Sequence, residues 1–291
     1  METSISTSKV SAHGGHSGPF CGHARGSLES IVDEYVRQGF EWVGITEHMP
    51  PSQERFMYPE EAAAGESVQS LRDRFDRYMS TCRRIQKERS DRIRIYVGFE
   101  TEAFSGALKT ARQFRRAYRP DYIVGSVHHV DDIGFDLSPE TYRIAAEQVG
   151  GLDELYRRYF DRQYELINRL RPEVVGHFDL IRIFDSDYRN RMQRRTIQDR
   201  VHRNLKAIRQ LDLAIDVNFR AFLKGFDEPY PAIPILRQAI EWGIALLPGD
   251  DSHGTESVGA YMEEGLQLLE SLGADCRWRT PVAPAIPSHP L

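Results

Sequence analysis

Short apolar segments typical of β-strands alternate with helical segments along the whole chain, and a histidine or carboxylate follows nearly every strand segment. The predicted strands are residues 9–13, 42–45, 93–99, 122–127, 174–176, 213–217 and 245–247. Apolar residues between them recur at helical spacing, as over residues 28–36 and 152–170. This alternation gives about seven β/α units and predicts a distorted α/β barrel, one unit short of the standard eight.

The length and composition of the chain are compatible with one large core. Its 291 residues are 40% hydrophobic, and α/β barrels of this size are commonly single domains. We find no internal repeat or linker, so residues 1–291 are expected to form one domain. Residues 1–8 are expected to form a flexible arm, and the Pro-rich residues 280–291 a tail outside the core.

Charge and cysteine usage exclude several classes of protein. A net charge of −5 argues against nucleic acid as a partner held by backbone electrostatics. Cys21, Cys82 and Cys276 are too few and too scattered for a disulfide framework. The first residues lack a signal-peptide apolar region, and no segment reaches the roughly 18 apolar residues that span a bilayer. We therefore expect a cytoplasmic protein with neither a nucleic-acid nor a membrane partner.

The polar residues after the strands are of the types that bind divalent metals. Side chains at the carboxyl ends of successive barrel strands converge on one mouth, and imidazole with carboxylate suits several transition metals. The pattern therefore indicates a multi-metal hydrolase. The candidates are His13, His16, His23, Glu47, His48, Glu100, His128, His129, His177, Asp251 and His253.

Six motifs occur in a fixed order, each at a predicted strand end: HGGHSGPFCGHA, ITEHMP, VGFE, DYIVGSVHH, VVGHFDLIR and DDSHG. Together they resemble the polymerase and histidinol phosphatase (PHP) family, and most closely its monofunctional phosphatases of histidinol phosphate. The resemblance covers about residues 13–259. It implies a distorted (β/α)7 barrel with three divalent metal ions (zinc, manganese or iron) that hydrolyses a small phosphomonoester, L-histidinol phosphate, in histidine biosynthesis.

The resemblance also implies a ligand set for each ion. The first ion would be bound by His13, His16, Glu100 and Asp251; the second by the bridging Glu100 with His128 and His177; the third by His23, His48 and His253. Closely spaced metals can make water nucleophilic near neutral pH and neutralise phosphate oxygens. A metal or a nearby acid would then stabilise the leaving alkoxide. Asp251 and His253 are the candidate acids, and sequence does not choose between them.

The first motif departs from the usual His-x-His of the family. In a strand, His-x-His places both imidazoles on one face, whereas Gly14 and Gly15 separate His13 from His16 here. Two adjacent glycines can adopt the dihedral angles of a β-bulge, which absorbs one residue and restores a common facing. We therefore keep His13 as a predicted ligand.

Four residues are candidates for contacts with the substrate. Arg182, in the loop after the His177 strand, is the predicted catalytic phosphate clamp, because a guanidinium can bind phosphate oxygens in bidentate fashion. Asn218 and Lys224 are expected to contact the amine, hydroxyl or phosphate. His129 is expected to be a pocket residue or to support a ligand.

The role of Cys21 and the reaction catalysed by the barrel each leave alternatives open. Cys21 is either a soft ligand beside His23 or, as we favour at this point, a small buried apolar residue. Instead of the expected phosphatase activity, the same barrel would suit a nucleotide phosphatase or phosphodiesterase, with the same metals and a different pocket. A non-catalytic, metal-stabilised module is a further alternative.

Overall fold

Seven parallel strands form one sheet in a computed structural model that describes residues 8–282. Their order is β1-β2-β3-β4-β7-β8-β9, so each strand pairs with the next sheet strand along the chain. A separate antiparallel pair, β5 and β6, lies between β4 and β7 in sequence. The strands are β1 Val10–Ser11, β2 Trp42–Ile45, β3 Arg94–Glu100, β4 Tyr122–Gly125, β5 His129–Val130, β6 Ile133–Gly134, β7 Val174–Val175, β8 Ala214–Asn218 and β9 Ala245–Gly249.

The two edge strands of this sheet approach each other. The amide of Ala12 donates to the carbonyl of Pro248 at 2.8 Å, and the amide of Asp251 donates to the carbonyl of His13, also at 2.8 Å. These bonds connect the end of β9 with the end of β1, so the sheet is a nearly closed seven-stranded barrel. The predicted distorted (β/α)7 barrel is confirmed.

Helices surround the barrel and begin and end at residues that the sequence marks. In α1, the Ser27 hydroxyl accepts the amide of Ser30, the buried residues Leu28 and Tyr35 lie on one face, and Gly39 follows with φ 76°. The longer helices α3, α4, α6 and α8 likewise bury one apolar face. The helices are α1 Leu28–Arg37, α2 Pro59–Ala63, α3 Val68–Glu88, α4 Ala107–Tyr118, α5 Pro139–Val149, α6 Leu152–Leu170, α7 Tyr188–Met192, α8 Arg195–Gln210, α9 Arg220–Leu223, α10 Ile233–Glu241 and α11 Met262–Ser271.

All seven predicted sheet strands are present, each within a few residues of its predicted bounds. The arginine-rich residues 189–209 belong to two helices, α7 and α8. Helix α5, helix α11 and the β5–β6 hairpin were not predicted. Residues 1–7 and 283–291 lie outside the described part, so the single domain over 1–291, the arm 1–8 and the tail 280–291 stay predictions.

The interior of the barrel is filled below the strand ends. Tyr122 extends across it, and its hydroxyl donates to the carbonyl of Ala12 at 2.7 Å. A side chain at Gly44 would place its Cβ 1.7 Å from that hydroxyl, so β2 needs glycine there. The barrel is therefore a packed core with its polar site at one end. Within residues 8–282, no helix has the length and apolar character needed to cross a membrane.

Candidate metal centre

Glu100, the last residue of β3, lies at the centre of a histidine cluster. Its Oε2 atom is 3.2 Å from Nε2 of His13 and 3.2 Å from Nδ1 of His48. Its Oε1 atom is 2.9 Å from Nε2 of His177 and 3.3 Å from Nε2 of His128. The two oxygens of one buried carboxylate thus face two different sets of imidazoles, which is the arrangement expected of a bridging ligand.

The side chains of His13 and His16 face the same site despite the two glycines between them. Gly15 has φ 78°, and the His16 amide donates to the carbonyl of Ser252 at 2.9 Å. His13, His16 and Asp251 form a group whose candidate ligand atoms lie within 4.8 Å of one another. A left-handed glycine therefore supplies the local turn that returns both imidazoles to one face.

The second group lies at the ends of β4 and β7. His128 and His177 approach each other with 3.2 Å between their Nε2 atoms. His177 also belongs to a buried group with His13 and Glu100. Nδ1 of His128 lies 2.9 Å from Oε2 of Glu102, so the nitrogen that faces Glu100 and His177 is Nε2.

The third group lies closer to the solvent. The ring of His23 is 5.5 Å from that of His48 and 5.0 Å from that of His253. Nδ1 of His23 is 2.8 Å from a carboxylate oxygen of Glu60, which leaves Nε2 for another partner. Cys21 is buried, and its sulfur forms a group with His16, His48 and His253 whose candidate ligand atoms lie within 4.8 Å of one another.

Several buried nitrogens in this cluster lack the partners that a folded protein normally supplies. Within residues 8–282, no hydrogen-bond partner is present for Nε2 of His13 or for either ring nitrogen of His16 and His48. Unpartnered buried polar atoms are rare and costly. Imidazole nitrogens and carboxylates in closed groups are the donors that zinc and similar ions take, so the residues present fit divalent metals.

The surroundings of Glu100 and Asp251 favour the ionised form of their carboxyl groups. Burial opposes ionisation of Glu100, but the charges of His13 and His128 outweigh it and hold the pKa of its carboxyl well below the ordinary value. Burial is likewise outweighed at Asp251, where the charge of His13 and the contact with His16 at 3.4 Å lower the pKa of the carboxyl. In a buried site this negative charge requires compensating positive charge, which divalent ions can provide.

The imidazoles of the centre divide into two electrostatic classes. Burial lowers the pKa of His16, but the carboxylates of Asp251 and Glu47, 3.4 and 3.6 Å from its ring nitrogens, more than offset burial and raise the pKa to about 9. At His23, burial and the neighbouring His48 lower the pKa to about 4. The group around Glu100 and Asp251 is therefore rich in negative charge, whereas the third group is rich in imidazole.

Two acids that sequence reasoning did not select hold these ligands from behind. Asp216, in the middle of β8, lies 2.8 Å from Nδ1 of His13. Glu102 contacts three histidines, His48 at 3.1 Å, His128 at 2.9 Å and His129 at 3.4 Å. Acids behind ligating imidazoles fix the tautomer and the ring orientation. The available signal was an acidic residue inside, or just after, an otherwise apolar strand.

A cavity of about 270 Å³ opens beside the histidine cluster. Its wall includes most of the predicted ligands together with two cations, Arg220 and Lys224, and the acid Asp136. One guanidinium nitrogen of Arg220 donates to the carbonyl of Asp251 at 2.9 Å. The predicted ligands in the wall are His23, His48, Glu100, His128, His177, Asp251 and His253.

Arg182 does not face this cavity, so its predicted placement at the metal mouth is wrong. The side chain is fully buried, and its guanidinium lies over the rings of Tyr188, Phe226 and Tyr230 at 4.8, 4.4 and 4.4 Å. It pairs with Asp179 at 3.2 Å. Enclosure by three aromatic rings and an acid leaves no face of the guanidinium for a phosphate in the cavity.

The other predicted substrate residues differ in position. Lys224 lines the cavity, where burial and the adjacent Arg220 lower the pKa of its ammonium. Asn218 is fully buried, and its amide donates to Asp216 at 3.0 Å and to Asp251 at 3.3 Å, so it supports ligands. His129 packs against Phe104 and contacts Glu102, behind the cavity wall.

The family model of the PHP domain matches residues 14–220, most of the chain. The chain belongs to the PHP domain family. A relative from Schizosaccharomyces pombe, named a probable histidinol-phosphatase, is 36% identical over 268 residues, which are 91% of this chain and 87% of the relative. The ordered motifs of the sequence therefore identified the family correctly.

Two solved structures share the fold of this PHP protein. A candidate histidinol phosphatase from Listeria monocytogenes matches with a TM-score of 0.77 and 24% identity, over 88% of this chain and 99% of that one. Histidinol phosphate phosphatase from Lactococcus lactis, complexed with zinc, L-histidinol and phosphate, matches with a TM-score of 0.68 and 19% identity, over 92% and 94%. Both structural similarities support the assignment of the fold as an α/β barrel.

Proposed function

We propose that this PHP protein hydrolyses L-histidinol phosphate to L-histidinol and phosphate, as a step of histidine biosynthesis, with three divalent metal ions. One observation carries the proposal. Seven of the predicted ligands line the same cavity as the cations Arg220 and Lys224 and as Asp136, whose Oδ1 atom has no hydrogen-bond partner within residues 8–282. The name of the Schizosaccharomyces pombe relative, which aligns with 91% of the chain, supports the choice of substrate.

The ligand sets proposed for the three ions follow the family resemblance, and short distances between several of their members support them. His13, His16, Glu100 and Asp251 would hold the first ion; Glu100, His128 and His177 the second; His23, His48 and His253 the third. Bound divalent ions supply Lewis acidity toward phosphate oxygens and lower the pKa of water. Zinc in the Lactococcus lactis protein supports zinc as one choice, with manganese and iron as the others.

Arg220 is the proposed phosphate contact in place of Arg182. It lines the cavity beside Asp251, and its bond to the Asp251 carbonyl fixes one guanidinium nitrogen. A planar guanidinium presents several N–H donors in a rigid fork that matches phosphate oxygens. Lys224, on the same wall, adds a second positive charge for the phosphate dianion.

Asp136 is the proposed partner of the substrate's ammonium group. It lines the cavity, and its Oδ1 atom is buried without a hydrogen-bond partner within residues 8–282. A buried carboxylate oxygen left unpaired is costly, and an ammonium would satisfy it. L-Histidinol phosphate carries such an ammonium, on the carbon next to the CH2 group that bears the phosphate ester. Phosphate and amine thus have separate partners in one cavity.

The two candidate acids for the leaving group are better suited to metal binding. Nδ1 of His253 lies 2.9 Å from the carbonyl oxygen of Asp251, which places a ring proton on Nδ1 and leaves Nε2 as a donor atom. The lowered pKa of Asp251 keeps its carboxyl ionised. We therefore propose Lys224 as the group that protonates the alkoxide, because its lowered pKa favours proton release.

The deciding experiment is steady-state phosphate release from L-histidinol phosphate, beside a panel of nucleoside monophosphates and phosphodiesters under the same metal conditions. We expect kcat/KM for L-histidinol phosphate to exceed that of every other compound by at least about a hundredfold. A preference for a nucleotide or a diester would replace the proposal with the corresponding activity on the same barrel. Metal-loaded protein inactive on all of them would indicate a non-catalytic module.

A further inference from the structure

We infer that the thiol of Cys21 is a sulfur ligand of the third metal ion. This inference rests on the proposed metal centre and adds a ligand to it. The third ion would then have one thiolate together with the imidazoles of His23, His48 and His253, a set of four. Four nitrogen and sulfur donors are the coordination that zinc takes in closed protein sites.

The turn after β1 brings the thiol to this position. The amides of Phe20 and Cys21 both donate to the carbonyl of Ser17, at 2.9 and 2.8 Å, and the amide of Ala24 donates to the carbonyl of Cys21 at 3.1 Å. This compact turn holds Cys21 close to His48 and His253 of the third group. Its Sγ atom and one nitrogen each of His16, His48 and His253 lie within 4.8 Å of one another.

The surroundings of Cys21 combine apolar residues, such as Phe20 and Phe75, with polar residues of the metal centre. A small cavity of about 30 Å³ adjoins its side chain, and the walls include His23, Glu47 and His48. Neither ring nitrogen of His48 has a hydrogen-bond partner within residues 8–282, and the same holds for the fully buried His16. A buried thiol that faces unpartnered imidazoles has the donors of a metal site around it.

The assignment of Cys21 to the third ion follows from how the histidines are shared. His16 also lies 3.4 Å from Asp251 and 3.8 Å from Glu100, which places it with the first ion. His48 and His253 remain for the third ion. His23 approaches the same two rings, and its Nδ1 is held by Glu60 so that Nε2 can bind. Cys21 completes the set from the buried side.

A sulfur ligand would distinguish the third ion from the other two. Thiolate is a soft donor that favours zinc over manganese, whereas the carboxylate-rich sets around Glu100 and Asp251 also suit harder ions. Binding forms a sulfur–metal bond, and the thiol proton is released to solvent as it forms. We therefore expect the third position to select zinc more strongly than the other two.

Cobalt substitution tests the sulfur bond without relying on catalysis. The full-length protein is loaded with Co²⁺, and its near-ultraviolet spectrum is searched for thiolate-to-cobalt charge transfer. We expect this band in the wild-type protein and in Cys82→Ala and Cys276→Ala, and its loss in Cys21→Ala. Cys82 is buried on α3, so Cys82→Ala controls for the loss of a buried thiol that is not a proposed ligand. A band that persists in Cys21→Ala, or that is absent from fully loaded wild-type protein, would overturn the inference.

X-ray absorption at the zinc edge gives a second measurement that needs no variant, in case Cys21→Ala does not fold. Zinc-loaded wild-type protein should show a sulfur scatterer at about 2.3 Å in addition to nitrogen and oxygen at about 2.0–2.1 Å. Spectra explained by nitrogen and oxygen alone would contradict the assignment. Cys21→Ser, which places a hard oxygen at the same position, should bind the third zinc at least about tenfold more weakly and discriminate less between Zn²⁺ and Mn²⁺.

These readouts separate the inference from the proposed function. Protein that shows the sulfur bond but does not hydrolyse L-histidinol phosphate would refute the substrate proposal and leave Cys21 a ligand. Protein that hydrolyses the substrate without any sulfur bond would refute the role of Cys21 and leave the phosphatase proposal intact.

Discussion

Nδ1 of His13 lies 2.8 Å from Oδ2 of Asp216, and both side chains are fully buried. The same carboxylate accepts the amide of His177 at 3.1 Å and the side-chain amide of Asn218 at 3.0 Å. Asp216 therefore links two predicted metal ligands from inside the barrel. With Nδ1 engaged, His13 presents Nε2 to Glu100 and to the predicted first ion.

Asp216→Asn should weaken metal binding without removing a ligand. The amide keeps the shape of the carboxylate but loses the charge that fixes the tautomer of His13. We expect metal affinity to fall by about ten- to a hundredfold, the usual cost of losing such a support, as measured by competition with a chelator of known affinity. Asp199→Asn, on the exposed face of α8, is the control. Unchanged metal affinity in Asp216→Asn would show that Asp216 does not support the metal ligand His13.

Glu100→Gln should be the most damaging single substitution in the centre. The carboxylate lies between His13 and His48 on one side and His128 and His177 on the other, and glutamine offers one neutral oxygen in its place. We expect a loss of about 3 kcal/mol or more, which is above a hundredfold in kcat/KM, and a larger loss than in His128→Ala. Glu140→Gln, on the exposed start of α5, is the matched control. Activity within tenfold of wild type would exclude the bridge.

Much of the barrel could be predicted because each sheet strand is a short apolar segment, and each one after β1 has a helix before it. The β5–β6 hairpin was missed because its strands have two residues each, too few to show a period. Its turn residues Asp131 and Asp132 have φ 48° and 68°, as two-residue hairpins require. Helix α5 did have readable signals, Ser138 as N-cap followed by Pro139.

The sequence could predict that the side chains of the predicted metal ligands come together because most of them follow strand ends, where the direction of the chain places them at one mouth. Asp216 and Glu102 could not be assigned in this way, since a supporting acid is identified by the histidine it contacts and not by its own spacing. Arg182 shows the same limit. Its position after β7 suggested the cavity, but Tyr188 at the start of the nearby helix α7 and Tyr230 from a distant segment enclose it.

Arg182→Ala should reduce stability and leave the catalytic constants of the folded enzyme near wild type. Nη2 of Arg182 donates to the carbonyl of Pro229 at 2.6 Å, and the guanidinium pairs with Asp179, which would remain buried and unpaired. Removing one partner of a buried pair costs about 3–5 kcal/mol, measurable as a lower urea midpoint. Wild-type stability combined with a raised KM would restore the phosphate-clamp role that the sequence suggested.

Arg220→Ala should raise KM for L-histidinol phosphate and lower kcat/KM while metal content stays constant. Loss of charge-assisted hydrogen bonds to phosphate costs about 1.5–3 kcal/mol, or about ten- to a hundredfold. Arg220→Lys should restore little, because an ammonium lacks the planar fork. Arg209→Ala, on the exposed end of α8, is the control. Wild-type kinetics in Arg220→Ala would move the phosphate contact to Lys224.

Metal removal should abolish activity and destabilise the protein together. The centre gathers the buried carboxylates of Glu100 and Asp251 with imidazole nitrogens that lack partners within residues 8–282, so ions that bind only the folded state stabilise it in proportion to their affinity. We expect active protein to contain close to three divalent ions by elemental analysis. A strong chelator should lower Tm and eliminate phosphate release, and both should return when Zn²⁺ or Mn²⁺ is restored. Fully active protein with one ion or none would overturn the three-metal assignment.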